Sequence, residues 1–224
     1  MMLLAVDTST QWMSVALYDG EFILGEMAWK TRYHHTVELA DSIQDLLDRC
    51  GVSVHDLKAL AVALGPGSFT SLRIGLAHIK GMALALHIPV IGIPTLDSLA
   101  AAQPRSENRL VAILQAGRKR LAYQYYAWDE KTGWKAETEA LLGTSAEMKL
   151  ELEPPLVLVG ELSKSDRDIL LEGSEGLVLC DPADSLRRAG FLAELAWKRF
   201  QKDDVDNVSL LSPIYLHVST PIPG

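Results

Sequence analysis

Along the first hundred residues, short wholly apolar runs alternate with amphipathic stretches. Residues 2–6 (MLLAV), 12–18 (WMSVALY) and 21–29 (EFILGEMAW) read as three strands. Asp19-Gly20 between the last two predicts a tight hairpin, because both turn positions want positive φ. A helix is predicted over residues 35–50, where Val37, Ala40, Ile43, Leu47 and Cys50 fall at helical spacing, and Gly51 is placed to stop it. Residues 59–64 (ALAVAL) form a strand apolar on both faces, as in a covered sheet. A glycine-rich loop leads into a second helix, about 71–86, then a strand at 88–93 and a short helix capped by Thr95.

The second half repeats this order. Strands are predicted at 109–115, 118–128 and 134–141, and Thr144 with Glu147 makes a capping box for a short helix. A strand at 156–160, a helix near 164–171, a strand at 176–180 and a last helix from Asp184 or Ser185 to Phe200 follow, before a polar tail, 203–224. Two successive β-β-β-α-β-α-β-α halves are the plan of the duplicated ribonuclease-H-like fold of actin-like ATPases. It is an α/β fold in which each half holds a mixed sheet: the meander is antiparallel and the helical crossovers are parallel. The halves are placed at 1–103 and at 104–224, the second smaller and carrying the terminal helix and tail.

Composition narrows the class. The 224 residues are 48% hydrophobic, enough for real cores, yet no apolar run nears the ~20 residues that cross a bilayer. The opening MMLLAVDTSTQW has no basic region and no cleavage site, so it reads as a buried strand and not a signal peptide. Cys50 and Cys180 form no CxxC pair and read as reduced core residues of a cytoplasmic protein. The net charge of −8 argues against RNA binding through the chain's own surface alone. The largest basic cluster, Arg118-Lys119-Arg120, reads as a solvated strand end.

Two motifs carry candidate chemistry. Asp7-Thr8-Ser9-Thr10 ends the first strand. Actin-like kinases place an Asp there, followed by Gly-Thr, to hold a metal ion and nucleotide phosphates. Here Thr8-Ser9 stands where the glycine would be, and a Cβ limits backbone approach to a phosphate. Asp7, Thr8 and Thr10 are therefore either a remnant phosphate site or a turn satisfied by its own amides. The second motif is GPGSFTSLRIG, residues 65–75, a glycine loop entering a helix N-terminus that lacks the Gly-Lys-Ser/Thr of a P-loop. Along the following helix, Ala77, Gly81 and Ala85 lie four apart as a ridge of small residues, suited either to its own sheet or to a partner helix.

The strings LLAVDTSTQWMSVAL, GPGSFTSLRIG and PVIGIPTLDSLA, with the near-terminal Ser212-Pro213-Ile214-Tyr215, resemble the TsaB (YeaZ) family, most strongly over residues 2–102. The chain departs from the family pattern at Ser71, at Gln115-Ala116-Gly117-Arg118 and at His217. The resemblance implies a non-catalytic subunit that supports a larger paralogue, TsaD, together with the ATPase TsaE. TsaD transfers a threonylcarbamoyl group to the adenosine 3′ of the anticodon in tRNAs reading codons that begin with A. It implies a heterodimer with TsaD, a homodimer when alone, contact with tRNA only through the complex, and no intrinsic cofactor, with ATP or ADP at the shared interface.

The family pairs through its first two helices. This places His34, His35, Leu39, Gly67, Ser68, Phe69, Thr70, Leu72, Arg73, Gly75, His78, Ile79 and Met82 at the partner interface, with a charge at Ile79 expected to break binding. The catalytic paralogue holds metal through His-x-x-x-His on a helix. None of the six histidines here has another four positions away, and the matching place reads Pro94-Thr95-Leu96-Asp97. There is likewise no Gly-x-Ser-x-Gly and no His-Glu-x-x-His, which argues against a peptidase. The competing reading is a small actin-like kinase or ATPase with its own nucleotide site.

Overall fold

The structure, a computed structural model, describes residues 1–32, 35–117 and 119–216. His34, Arg118 and His217 lie outside the described residues, as does the end of the tail. The first half holds strands β1 (Met2–Asp7), β2 (Trp12–Tyr18), β3 (Ile23–Lys30), β4 (Leu57–Ala63) and β5 (Val90–Ile93). Helices α1 (His35–Cys50), α2 (Phe69–Leu86) and α3 (Thr95–Ala101) connect or follow them. The second half holds β6 (Arg109–Gln115), β7 (Leu121–Asp129), β8 (Gly133–Ala136), β9 (Leu141–Gly143), β10 (Leu156–Gly160) and β11 (Leu177–Leu179). Its helices are α4 (Ser145–Glu151), α5 (Lys164–Leu171) and α6 (Ala189–Phe200).

The sheets are ordered β3-β2-β1-β4-β5 and β11-β10-β6-β7-β8, with β9 also paired to β7. In each, the meander is antiparallel and the crossovers are parallel. The fold is thus the duplicated ribonuclease-H-like, actin-like fold that the element order predicts.

Strand alternation sorts residues by size. In β1, β2 and β4 the register pairs Leu4 with Leu17 and Leu60, and Val6 with Val15 and Val62. These large side chains meet Leu39, Ile43, Leu46 and Leu47 of α1 and Leu76, Ile79 and Ala83 of α2. The other face is mostly alanine: Ala5, Ala16, Ala59, Ala61 and Ala63, with Leu3. Small side chains let a helix come close, and α6 fills that face with Ala189, Leu192, Ala193 and Ala196.

The last helices are therefore exchanged in space. The sequence groups α6 and the tail with the second half, but α6 and the described start of the tail lie on the first sheet. Conversely, Leu96, Leu99 and Ala100 of α3 pack on the second sheet, against Leu110, Ala112, Leu114 and Tyr126. The tail holds the exposed side of β5: Asp206 N–H donates to Val90 O at 2.9 Å and its carboxylate accepts the Gly92 N–H at 2.7 Å. Covering an edge strand in this way removes a template for unwanted pairing.

Several local expectations change. The first hairpin is not a two-residue turn. β3 begins at Ile23, only Gly20 (φ +100°) has positive φ, and the Asp19 carboxylate instead accepts the N–H groups of Glu21 and Phe22. The strand expected at 134–141 is two strands, β8 and β9, which pair with opposite ends of β7; between them Thr138 takes the Tyr125 N–H. α6 starts at Ala189, not at 184 or 185, because Glu26 on β3 caps its Gly190 N–H from outside at 2.7 Å. Thr95 does not cap α3: it is the first helical residue, and its hydroxyl accepts the Gly65 N–H at 2.9 Å. Gly51, at φ +65°, does end α1.

Candidate functional site at the cleft between the two sheets

The β1–β2 turn and the loop after β4 meet at the mouth of a cleft of about 1540 Å³. Trp12, Lys30, Ser68 and Thr70 line one wall, and Gln115, Ser145, Gly160 and Ser163 the other. Gly67 and Gly75 are what let the turn and α2 close up. A Cβ on Gly67 would collide with the Ser9 carbonyl, and one on Gly75 with the Thr8 hydroxyl. Thr8 donates its hydroxyl to Ser71 O at 2.8 Å, and so turns away from the cleft into α2. Ser9 pairs with Thr95, oxygen to oxygen at 2.7 Å.

Asp7 is 2% exposed and both its oxygens are engaged. Oδ1 accepts the Ser9 N–H at 2.7 Å, and Oδ2 accepts Arg187 Nε–H at 2.8 Å. The same guanidinium donates to Glu161 Oε1, to Thr10 Oγ1 at 3.0 Å and to the Trp12 carbonyl at 3.0 Å. Thr10 in turn donates to Glu161 Oε1 at 2.9 Å. Burial alone would pull the Arg187 pKa down, but Asp7 and Glu161 more than offset it and hold the group above its ordinary value. One arginine from the segment before α6 thus joins the first sheet (Asp7, Thr10, Trp12) to the second (Glu161).

Asp7, Thr8 and Thr10 do come together, but as a turn satisfied by protein groups. Neither Arg187 nor Glu161 was visible as a site residue in the sequence. Arg187 stands 180 positions from Asp7, and no local pattern links them. An actin-like fold carries the expectation of a nucleotide and a divalent cation between its halves. These residues do not fit that pair, since the carboxylate that should face the metal is spent on an arginine. Among the described residues no group of three His, Cys, Asp or Glu side chains is placed to hold a metal ion.

The residues assigned to a partner interface divide. Leu39, Leu72 and Ile79 are 3% exposed or less and Gly75 is buried against Thr8, so they belong to the chain's own core and not to a docking face. His35 is also interior: its Nε2 donates to the Thr10 carbonyl at 2.8 Å. Gly67, Ser68, His78 and Met82 are partly exposed, while Thr70, Phe69 and Arg73 lie outside. Burial lowers the His78 pKa. The Arg73 guanidinium covers the Phe69 ring at 3.6 Å and donates to the Tyr215 hydroxyl at 2.9 Å, which ties the tail to α2. The small-residue ridge is not used by its own sheet: Ala77, Gly81 and Ala85 are exposed, beside Leu84 at 64%.

A profile described as "TsaD: tRNA N6-adenosine threonylcarbamoyltransferase" matches residues 27–175. The tRNA threonylcarbamoyladenosine biosynthesis protein TsaB of Escherichia coli is 33% identical, over 96% of this chain and 94% of its own. The chain belongs to the TsaB (YeaZ) family. YeaZ from Pseudomonas aeruginosa superposes with a TM-score of 0.80 at 24% identity, over 96% of this chain and 99% of that one. A more distant likeness has a TM-score of 0.52 at 10% identity, over 92% of this chain and 99% of the other. That protein is the activator of 2-hydroxyisocaproyl-CoA dehydratase from Clostridium difficile, solved with bound ADPNP.

Asp97 lies in the first turn of α3. It accepts the Tyr126 hydroxyl at 2.7 Å, and burial raises its carboxyl pKa more than that hydrogen bond lowers it. A raised folded-state pKa means stability that is present at low pH and lost as pH rises through the folded value. Asp97→Asn keeps an acceptor for Tyr126 and removes the charge. Its melting temperature should exceed the wild type's at pH 7 and converge on it below the unfolded carboxyl range. A gap independent of pH would contradict this account.

Proposed function

We propose that this chain acts in threonylcarbamoyladenosine modification of tRNA as a non-catalytic subunit that binds and activates TsaD, with TsaE. The observation that carries the non-catalytic reading is the state of Asp7. The acidic residue that an actin-like kinase turns towards metal and phosphate is here buried and held by Arg187. Membership of the TsaB family supports the pathway. The exposed face of α2, with Ala77, Gly81, Leu84 and Ala85, supports pairing through helices. The same face would serve a homodimer when TsaD is absent. ATP or ADP in the assembly belongs at the shared interface, and tRNA is met through the complex. The assembly is placed in the cytoplasm by its tRNA substrate; among the described residues no helix is long and apolar enough to cross a membrane.

The test is co-purification with the cognate TsaD, followed by a tRNA threonylcarbamoylation assay with and without this chain. Capture of TsaD and dependence of activity on the chain are expected. If TsaD neither binds nor needs it, the reading fails. Calorimetry of the isolated chain with ATP and magnesium separates the competing kinase reading: no heat of turnover is expected.

A further inference from the structure

The actin-like fold implies a divalent cation at Asp7, and the residues present contradict it. We propose that Arg187 is a built-in cation that replaces the metal there, closing the cleft to a metal–phosphate pair and tying the two lobes without a ligand. A bound metal in such a cleft gathers oxygens from both lobes. The guanidinium does the same, taking Asp7, Thr10 and the Trp12 carbonyl from one side and Glu161 from the other. Its geometry suits the task, since a planar fork of donors meets several oxygens at fixed angles.

Two further features point the same way. The Arg187 side chain is only 2% exposed and donates to four acceptors, and a divalent ion at Asp7 would face a like charge within a few ångströms. The turn has also lost its phosphate-facing backbone: Thr8 fills the place of a glycine and packs against Gly75. The lock is thus built from two features, the Thr8 departure in the turn and the arginine before α6.

Manganese is the probe, alone and with ATP, read by paramagnetic broadening of the Thr10 and Gly160 amide signals of the full chain. In the wild type no selective broadening is expected at these amides. In R187M/E161Q, which removes one positive and one negative charge, selective broadening should appear at least about tenfold below the highest manganese concentration that leaves the wild type unchanged, because the like charge is gone. If that variant does not fold, R187Q/E161Q, which makes the same charge change and puts a polar amide in place of the guanidinium, takes its place. Selective broadening in the wild type overturns the proposal, as does a folded variant that shows none. TsaD capture reads a different surface, so the lock and the proposed function can fail separately.

Discussion

Arg187→Ala should cost about 3–5 kcal/mol of unfolding free energy, because it leaves buried carboxylates without their cation. Asp7 is 2% exposed and Glu161 15%, so water can take over only part of the lost contacts, at Glu161 where it borders the cleft. The loss is large against the ~5–15 kcal/mol that holds a typical domain. It also removes the tie between the sheets, so the urea transition should broaden as the lobes lose cooperativity. Arg187→Lys keeps the charge but not the fork, and should fall between alanine and wild type. The decisive companion is the neutral triple change R187M/D7N/E161Q. A buried ion cluster is expensive to break but near neutral to replace as a whole, so the triple variant should recover most of the loss. A single alanine variant within about 1 kcal/mol of wild type would place this network among weak surface pairs and remove its role.

The sequence carried the fold further than the site. Alternation in β1, β2 and β4 separates leucine and valine from alanine, and that split already says which face takes α1 and α2. It does not say which helix takes the alanine face, because α6 and α3 both carry buried leucine and alanine and the exchange is decided by chain path. The stripe on α1 shows a similar limit. A reading through Val37, Ala40, Ile43 and Leu47 shares its later positions with the buried set, but Val37 is 64% exposed and Leu39 is inside. The first turn is set by His35, whose ring is drawn in by the Thr10 carbonyl, a polar contact that no hydrophobic period reports. The cleft was half legible for the same reason. Asp7 and the glycine loop are local strings, whereas Arg187 acquires meaning only when two distant segments meet.

Gly81→Arg should abolish capture of TsaD while leaving the chain folded, and slightly more stable. Gly81 sits in mid-helix on the exposed ridge, and a Cβ there meets nothing within 4 Å. Replacing an interior helical glycine by a good helix former gains about 1 kcal/mol. Added bulk and charge would instead hold a partner helix away from the surface that Ala77 and Ala85 leave low. The contrasting variant is Ile79→Asp. Ile79 is 0% exposed in the core beneath α2, so an unpaired carboxylate there should unfold the chain, with a cost above about 4 kcal/mol. Lost capture by that variant would therefore say nothing about docking. The informative result is a Gly81→Arg chain that melts at or above the wild-type temperature and no longer retains TsaD on a column. If it still retains TsaD with unchanged affinity, the partner docks elsewhere, and the Phe69, Arg73 and Tyr215 cluster becomes the next surface to alter.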